Sequence, residues 1–187
     1  MRRLSVLLVL VFLAFAAPAW AQAPAPRTDE AAKQQALKIA LDWLHANTAY
    51  KQIPEIRSWV SLSAEQMSAQ ARRGGLPGSD TRVPPAIYVC GQSRLYLQEG
   101  ISFLDIAIVS LLVHELTHHA QCVTGVPFTD ICAIEREAYL NQQRFVRFMQ
   151  ARRVSAGRPL GPEVEKFARE EIPSLINTVC AATRKPN

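Results

Sequence analysis

The segment from Ser102 to Cys122 constrains the fold most, because its sequence predicts a helix that is apolar on nearly every face. A helix of that kind has to be surrounded by the rest of its domain. It nevertheless carries three of the chain's four histidines, at positions 114, 118 and 119, with a glutamate at 115. Ionisable groups on a buried helix are unfavourable unless a partner compensates them. The segment therefore predicts a central helix with a polar site built into it.

His114 and His118 stand four residues apart, so they share one helix face and both imidazoles can reach one metal ion. Glu115 is turned about 100° round the helix, where its carboxylate can accept a proton from water on that metal. This H-E-x-x-H spacing predicts a Zn²⁺ site with Glu115 as the general base. The structural alternative is a core helix whose histidines are satisfied by hydrogen bonds alone.

A catalytic zinc site usually has three protein ligands. The longer motif with a third histidine is excluded, because Gln121 stands at its glycine position and Thr124 at its histidine position. The third ligand is then a carboxylate after the turn that follows the helix, or a thiolate. Three carboxylates qualify: Asp130, Glu135 and Glu137. The two glutamates point about 200° apart on a helix, so only one of them can face the metal.

The chain has four cysteines, at positions 90, 122, 132 and 180. In an exported protein they are expected to form two disulfides, and we predict the pairs Cys122–Cys132 and Cys90–Cys180. Cys122 lies one turn after His118, and Cys132 lies one turn before Glu135. Their pairing would bring Glu135 to His118 and turn Glu137 away, so Glu135 is the predicted third ligand. Gln121 shares the histidine face and could contact a ligand or substrate.

The N-terminus has the layout of a secretory signal peptide at residues 1–21: a basic start, an apolar run and small residues before the cleavage point. Residues 22–27 then form a flexible lead-in, and 28–187 a single domain. The apolar run is too short for a stable membrane span, although an uncleaved anchor is the alternative. The sequence thus predicts an exported protein, periplasmic or extracellular, with no stable membrane span after cleavage.

The remaining pattern predicts a mainly helical α+β domain with a small antiparallel sheet. Helices are predicted at 29–49, 63–71, 131–152 and from 161 to about 182 with a break at Pro173, and strands at 54–60, 86–90 and 94–97; 71–85 reads as a loop. The capping-box pair Ser63 and Gln66 starts the second helix, and Thr129 or Asp130 caps the fourth. The net charge of +5 is spread along the chain, so no nucleic-acid partner is expected.

The motif His114-Glu115-Leu116-Thr117-His118, followed by Glu135-Arg136-Glu137-Ala138-Tyr139, resembles the gluzincin metallopeptidases. It is also similar to small exported bacterial proteins with an H-E-x-x-H-x-x-Q core. The resemblance covers about 40 residues. It implies a zincin-like core of two active-site helices, a bound zinc ion, a peptide or protein substrate, and an edge strand along the substrate cleft. Ala138 matches an alanine found where these helices pack closely.

One position departs from the family pattern. Many gluzincins carry Asp or Asn four residues after the ligand glutamate, where it orients a histidine, and this chain has Tyr139 there. Its phenol could hydrogen-bond a ligand or the reacting oxygen, or serve packing alone. The sequence therefore predicts an exported zinc-dependent peptidase. The alternatives are a non-catalytic binding module with a metal-stabilised core, and a helical adaptor in which the motif is accidental.

Overall fold

A computed structural model describes residues 29–54, 56, 58–73, 83–127, 129–155, 157, 160–171, 176–177 and 180. The helices are α1 (Asp29–Asn47), α2 (Ala64–Arg73), α3 (Ile106–Val123), α4 (Ile131–Ser155) and α5 (Pro162–Arg169). The strands are β1 (Ser58–Leu62), β2 (Ala86–Val89) and β3 (Arg94–Gln98). The predicted fold class, a mainly helical α+β domain with a small sheet, is confirmed.

The sheet has the strand order β1-β3-β2. The predicted strands at 86–90 and 94–97 correspond to β2 and β3, which form an antiparallel hairpin with Tyr88 opposite Leu95. β1 pairs with β3 in parallel, with Val60 opposite Tyr96. The sheet is therefore mixed rather than wholly antiparallel. The reason is the connection through α2, which returns the chain to the sheet before β2 and leaves β1 and β3 running the same way.

α3 is the central element, as its apolar sequence requires. It packs against α1 on one side, against α4 on another and against β2. Leu112 and Val113 of α3 are completely buried in the main core, together with Leu44 of α1 and Phe145 of α4. The helix that carries the histidines is thus covered on several sides, and its polar groups face other parts of the protein.

β3 divides the interior by the alternation of its side chains. Leu95 and Leu97 join the main core, whereas Tyr96 points to a second, smaller cluster that contains Met67 of α2. The predicted capping box starts α2: the Ser63 amide donates to Gln66 Oε1 at 3.0 Å, and the Gln66 amide donates to Ser63 Oγ at 3.3 Å. α2 is therefore fixed on the sheet face opposite α3.

The helix ends follow local capping rules. α3 begins later than predicted, because the Asp105 side chain caps it by accepting from the Ala107 amide. Asp130 Oδ1 accepts from the Ala133 amide at 3.1 Å and caps α4 in the same way. The turn between α3 and α4 passes through Gly125, whose φ of 75° favours glycine. α5 starts at Pro162 as predicted; Pro173, the predicted break, lies outside the described residues.

The predicted disulfide pairing is wrong. The disulfides join Cys90 to Cys122 and Cys132 to Cys180. The prediction places Cys122 on the same face of α3 as His118, and this direction is wrong. Cys122 is seven residues after Glu115, so the two side chains leave α3 only about 20° apart. Glu115 points at β2, and Cys122 accordingly meets Cys90 at the end of that strand.

The predicted signal peptide at 1–21 and lead-in at 22–27 lie outside the described residues. Within the part of the chain that the structure describes, no helix is both long enough and apolar enough to cross a membrane.

Candidate metal centre

His114, His118 and Glu135 come together between α3 and α4, with their nitrogen and oxygen ligand atoms within 4.8 Å of one another. The two histidines lie one turn apart on α3, and Glu135 reaches them from the first turns of α4. Only 9%, 11% and 17% of these three side chains is exposed. This chemistry, two imidazoles and one carboxylate, can hold a divalent metal ion.

The spacing of the three side chains fits a single small ion. His114 Nε2 and His118 Nε2 are 3.1 Å apart, and they lie 3.3 Å and 3.5 Å from the two oxygens of Glu135. Ligands at about 2.0–2.1 Å from a tetrahedral zinc ion would be separated by about 3.3–3.4 Å. The separations are thus of the order expected for three side chains that hold one metal ion between them.

The hydrogen bonds of His118 leave a lone pair facing that position. Its Nδ1 lies 2.9 Å from Gln121 Oε1, which can only accept, so Nδ1 carries the proton. In the neutral ring Nε2 is then unprotonated, yet it faces the Glu135 carboxylate. Burial, with the charge of His114, lowers the pKa of His118 to about 4 and keeps the ring neutral. That lone pair can accept from a protonated His114 Nε2, 3.1 Å away, and a bound cation could take the place of this proton.

His114 and Glu135 show how the site balances charge through a proton. Burial acts to lower the pKa of His114, but the hydrogen bond and charge of Glu135 and the charge of Glu115 outweigh it and raise that pKa. For Glu135, burial acts to raise the pKa, and the contact with His114 reverses the direction and lowers it. A proton on His114 thus takes the place that a metal cation could fill.

Glu115 is held beside this group by the hairpin. The backbone N–H of Tyr88 donates to Glu115 Oε2 at 2.7 Å. Pro85 O accepts from Gln98 N, so in the hairpin register the N–H groups of Ala86 and Tyr88 point away from β3. No strand in the described part of the chain pairs with that edge of β2. The Glu115 carboxylate therefore lies at the unpaired edge of the sheet.

Burial raises the pKa of Glu115 to about 7, with the charge of His114 opposing the shift. Tyr139 stands on the other side of the site, with its ring edge-on to His114 at a centroid distance of 4.6 Å. Burial, together with the charges of Glu135 and Glu115, raises the pKa of its hydroxyl to about 12. The phenol thus keeps its proton at neutral pH, next to two carboxylates.

The other predicted site residues have different positions. Asp130 caps α4, away from the three-residue group. Glu137 accepts from Gln121 Nε2 at 3.0 Å and from the Tyr50 hydroxyl at 2.9 Å, so it is linked to His118 through Gln121. Gln121 has no exposed surface and contacts His118 directly. The predicted choice of Glu135 over Glu137 agrees with this geometry, although it was based on the wrong disulfide.

His119, the third histidine of α3, is only 3% exposed. Its Nε2 donates to Pro54 O at 2.8 Å, and its Nδ1 accepts from the Tyr88 hydroxyl at 2.9 Å. The His119 ring thus joins α3 to β2 and to the segment before β1. Its role is to hold the strand whose backbone binds Glu115.

Sequence reasoning missed the polar residues of α4 that face α3. Asn141 Nδ2 donates to Thr117 Oγ1, and Gln142 Nε2 donates to Ser110 Oγ, each at 3.3 Å. Gln142 also acts to raise the pKa of His114. Within the described structure, however, His114 Nδ1 and Gln142 Oε1 each lack a hydrogen-bond partner, so the two side chains are close without a well-formed hydrogen bond. The signal was the run Asn141-Gln142-Gln143 inside an otherwise amphipathic helix.

No family model, curated protein or solved structure matches the chain. The arrangement of His114, Glu115, His118 and Glu135 therefore has to be interpreted from its own geometry. It brings together three side chains that could hold one metal ion, a partly buried carboxylate at a strand edge that no described strand pairs with, and a protonated phenol.

Proposed function

We propose that this protein is an exported zinc-dependent peptidase of the gluzincin type. In this proposal His114, His118 and Glu135 bind the zinc ion, and Glu115 is the general base. The observation that carries it is the position of Glu115, which lies beside the three potential ligands but is held by the Tyr88 backbone rather than directed at the metal position. A purely structural metal site has no need of a second, partly buried carboxylate.

A zinc ion supplies Lewis-acid chemistry when bound, because it acidifies water and polarises a carbonyl group. Glu115 is suited to accept the proton of the attacking water, since its raised pKa of about 7 lies near neutral pH. It can then deliver the same proton to the leaving amine. The hydrogen bond from Tyr88 orients the carboxylate through one oxygen and leaves the other for this transfer.

The edge of β2 that no described strand pairs with favours the proposal that the substrate is a peptide. An extended peptide can add to a free strand edge through backbone hydrogen bonds. In the hairpin register the N–H and C=O groups of Ala86, one pleat before Tyr88, also point away from β3, and no strand in the described part of the chain pairs with them. Tyr139 would donate its hydroxyl to the oxygen that becomes negative during attack, because its raised pKa keeps the phenol protonated.

Export is proposed from two features. The two disulfides are typical of proteins that fold in an oxidising compartment. The N-terminal segment, outside the described residues, has the signal-peptide pattern. Zinc, rather than another ion, is proposed because two imidazoles and one carboxylate with short mutual distances match its preferred ligands.

A non-catalytic, metal-stabilised binding module is the second candidate. One observation favours it: the three potential ligands are 83–91% buried, as in closed structural sites. Both candidates bind metal, so metal content alone does not separate them.

The variant Glu115→Gln separates the two candidates. Its amide oxygen can still accept from Tyr88, so the fold and the zinc stoichiometry should be retained. Peptide hydrolysis should fall by roughly 100- to 10,000-fold if Glu115 transfers the proton. The measurements are zinc content by elemental analysis and turnover of a mixed peptide library. Unchanged turnover would contradict the mechanism, and zinc binding with no hydrolysis by the wild-type protein would favour the binding module.

A further inference from the structure

Gln121 has a hydrogen-bond arrangement that fixes the orientation of its amide. Its Nε2 donates to Ile134 O at 3.1 Å and to Glu137 Oε2 at 3.0 Å. Both partners can only accept, so the NH₂ group must face them. The oxygen Oε1 is then directed at His118 Nδ1, which has to be the donor.

This arrangement determines the tautomer of His118. With the proton on Nδ1, the lone pair of Nε2 faces His114 and Glu135, as a metal ligand requires. The Glu137 carboxylate accepts from the Gln121 amide on the side away from His118, and the Tyr50 hydroxyl holds it in place at 2.9 Å. Negative charge behind a histidine strengthens its lone pair as a ligand.

We infer that Gln121 and Glu137 are positioning residues that hold His118 as a Nε2 ligand, with Tyr50 fixing Glu137 from the segment after α1. The inference rests on the proposed function, since it concerns the same metal site. Many gluzincins orient a histidine with an Asp or Asn at the position where this chain has Tyr139. In our inference, Gln121 and Glu137 orient His118 instead. Metal-binding histidines usually donate their second N–H to a carboxylate or carbonyl, and here an amide stands between the ring and the carboxylate.

The first test uses the isosteric exchange of the two residues. In Gln121→Glu, two carboxylates face each other, and zinc affinity should fall roughly 10- to 100-fold. Glu137→Gln keeps the hydrogen bonds but removes the charge, so affinity should fall less. The double variant Gln121→Glu/Glu137→Gln restores one amide and one carboxylate, and its affinity should return to the wild-type range. Zinc affinity is measured by competition with a chromogenic chelator.

The second test reads the tautomer without metal or activity. In the metal-free protein, imidazole ¹⁵N shifts should show His118 protonated at Nδ1 in the wild type and in the double variant. Gln121→Leu should give a mixture of tautomers and a roughly 10- to 100-fold loss of zinc affinity. The control Gln143→Leu removes another buried glutamine, one that donates to Phe167 O and Glu170 O, and should change neither measurement.

The outcomes separate the inference from the proposed function. If the wild type binds zinc but Gln121→Leu changes neither the tautomer nor the affinity, the inference is wrong and the proposed function stands. A double variant that binds no better than Gln121→Glu contradicts the inference as well, and this comparison remains usable if Gln121→Leu does not fold. If the wild type binds no zinc, the proposed function fails, while the tautomer in the metal-free protein still tests the inference.

Discussion

Glu115 and Glu135 are both partly buried carboxylates next to His114, yet the structure moves their pKa values in opposite directions. Glu135 contacts two imidazoles, and the contact with His114 outweighs the effect of burial. Glu115 has one backbone N–H and a less direct interaction with His114, so burial prevails. Glu135 therefore stays ionised, as a cation ligand must, whereas Glu115 can gain and lose a proton near neutral pH.

The raised pKa of Glu115 makes a prediction about stability in the absence of metal. Its ordinary value is 4.5 and its value in the folded protein is about 7. The stabilisation from this group is therefore complete below about pH 4.5 and is lost as the pH rises through about 7. Glu115→Gln lacks that dependence. Between pH 5 and pH 8, the variant should gain at least about 1 kcal/mol in free energy of unfolding relative to the wild type.

Urea unfolding in EDTA at the two pH values measures this difference. Glu65→Gln, which removes a charge from an exposed side chain of α2, is the control for general charge effects. The same difference between variant and wild type at both pH values would show that burial of Glu115 does not act as described.

At the scale of elements, each face of α3 contacts a different part of the protein. The face of Gln121 and Thr117 meets α4, the face of Glu115 and Cys122 meets the hairpin, and His114 and His118 lie between them. Apolar periodicity predicted this helix, and the histidine spacing predicted its polar face. The direction of each neighbour could not be predicted, because a difference of about 60° in helical phase decides which element a side chain meets.

Ala138 tests the packing of α3 against α4. It has no exposed surface and lies on the α4 face between Ile134 and Asn141. The Ile134 carbonyl and the Asn141 side chain both form hydrogen bonds with side chains of α3. Ala138→Leu should push the helices apart and reduce the free energy of unfolding by about 1–3 kcal/mol. It should also weaken zinc binding, because Glu135 lies one turn away.

Chemical denaturation and zinc titration measure the two effects of Ala138→Leu. The matched control is Ala151→Leu on the exposed part of α4, which should change neither by more than about 0.5 kcal/mol. Equal stability of the two variants would mean that the helices do not approach closely at Ala138.

At the scale of the whole molecule, the fold class and the order of most elements followed from sequence periodicity and turn signals. The parallel pairing of β1 did not, because it depends on where α2 returns the chain. The group of His114, His118 and Glu135 was predicted from the histidine spacing along α3 and one carboxylate of α4. The polar network behind it was not predicted, since Tyr50 and Glu137 are 87 residues apart and no local pattern links them.

The metal site should also stabilise the molecule as a whole, because it joins α3 to α4. Zinc at a hundredfold excess over its dissociation constant should add about 2.7 kcal/mol to the free energy of unfolding. For a chain of this size that corresponds to a rise in Tm of roughly 5–10 °C. Glu135→Ala should lose this response, while Glu137→Ala should retain it at a higher zinc concentration. Differential scanning calorimetry with and without EDTA measures it; an equal response of Glu135→Ala and wild type would exclude Glu135 as a ligand.

Of the four cysteines, the first pairs with the second and the third with the fourth, at separations of 32 and 48 residues. Their loops neither overlap nor enclose each other, so the first can close before the second pair has been synthesised. A chain delivered from its N-terminus into an oxidising compartment would therefore reach its native pairing in order of appearance. Maturation of this protein should need an oxidase but no isomerase, since no pair has to be broken and re-formed.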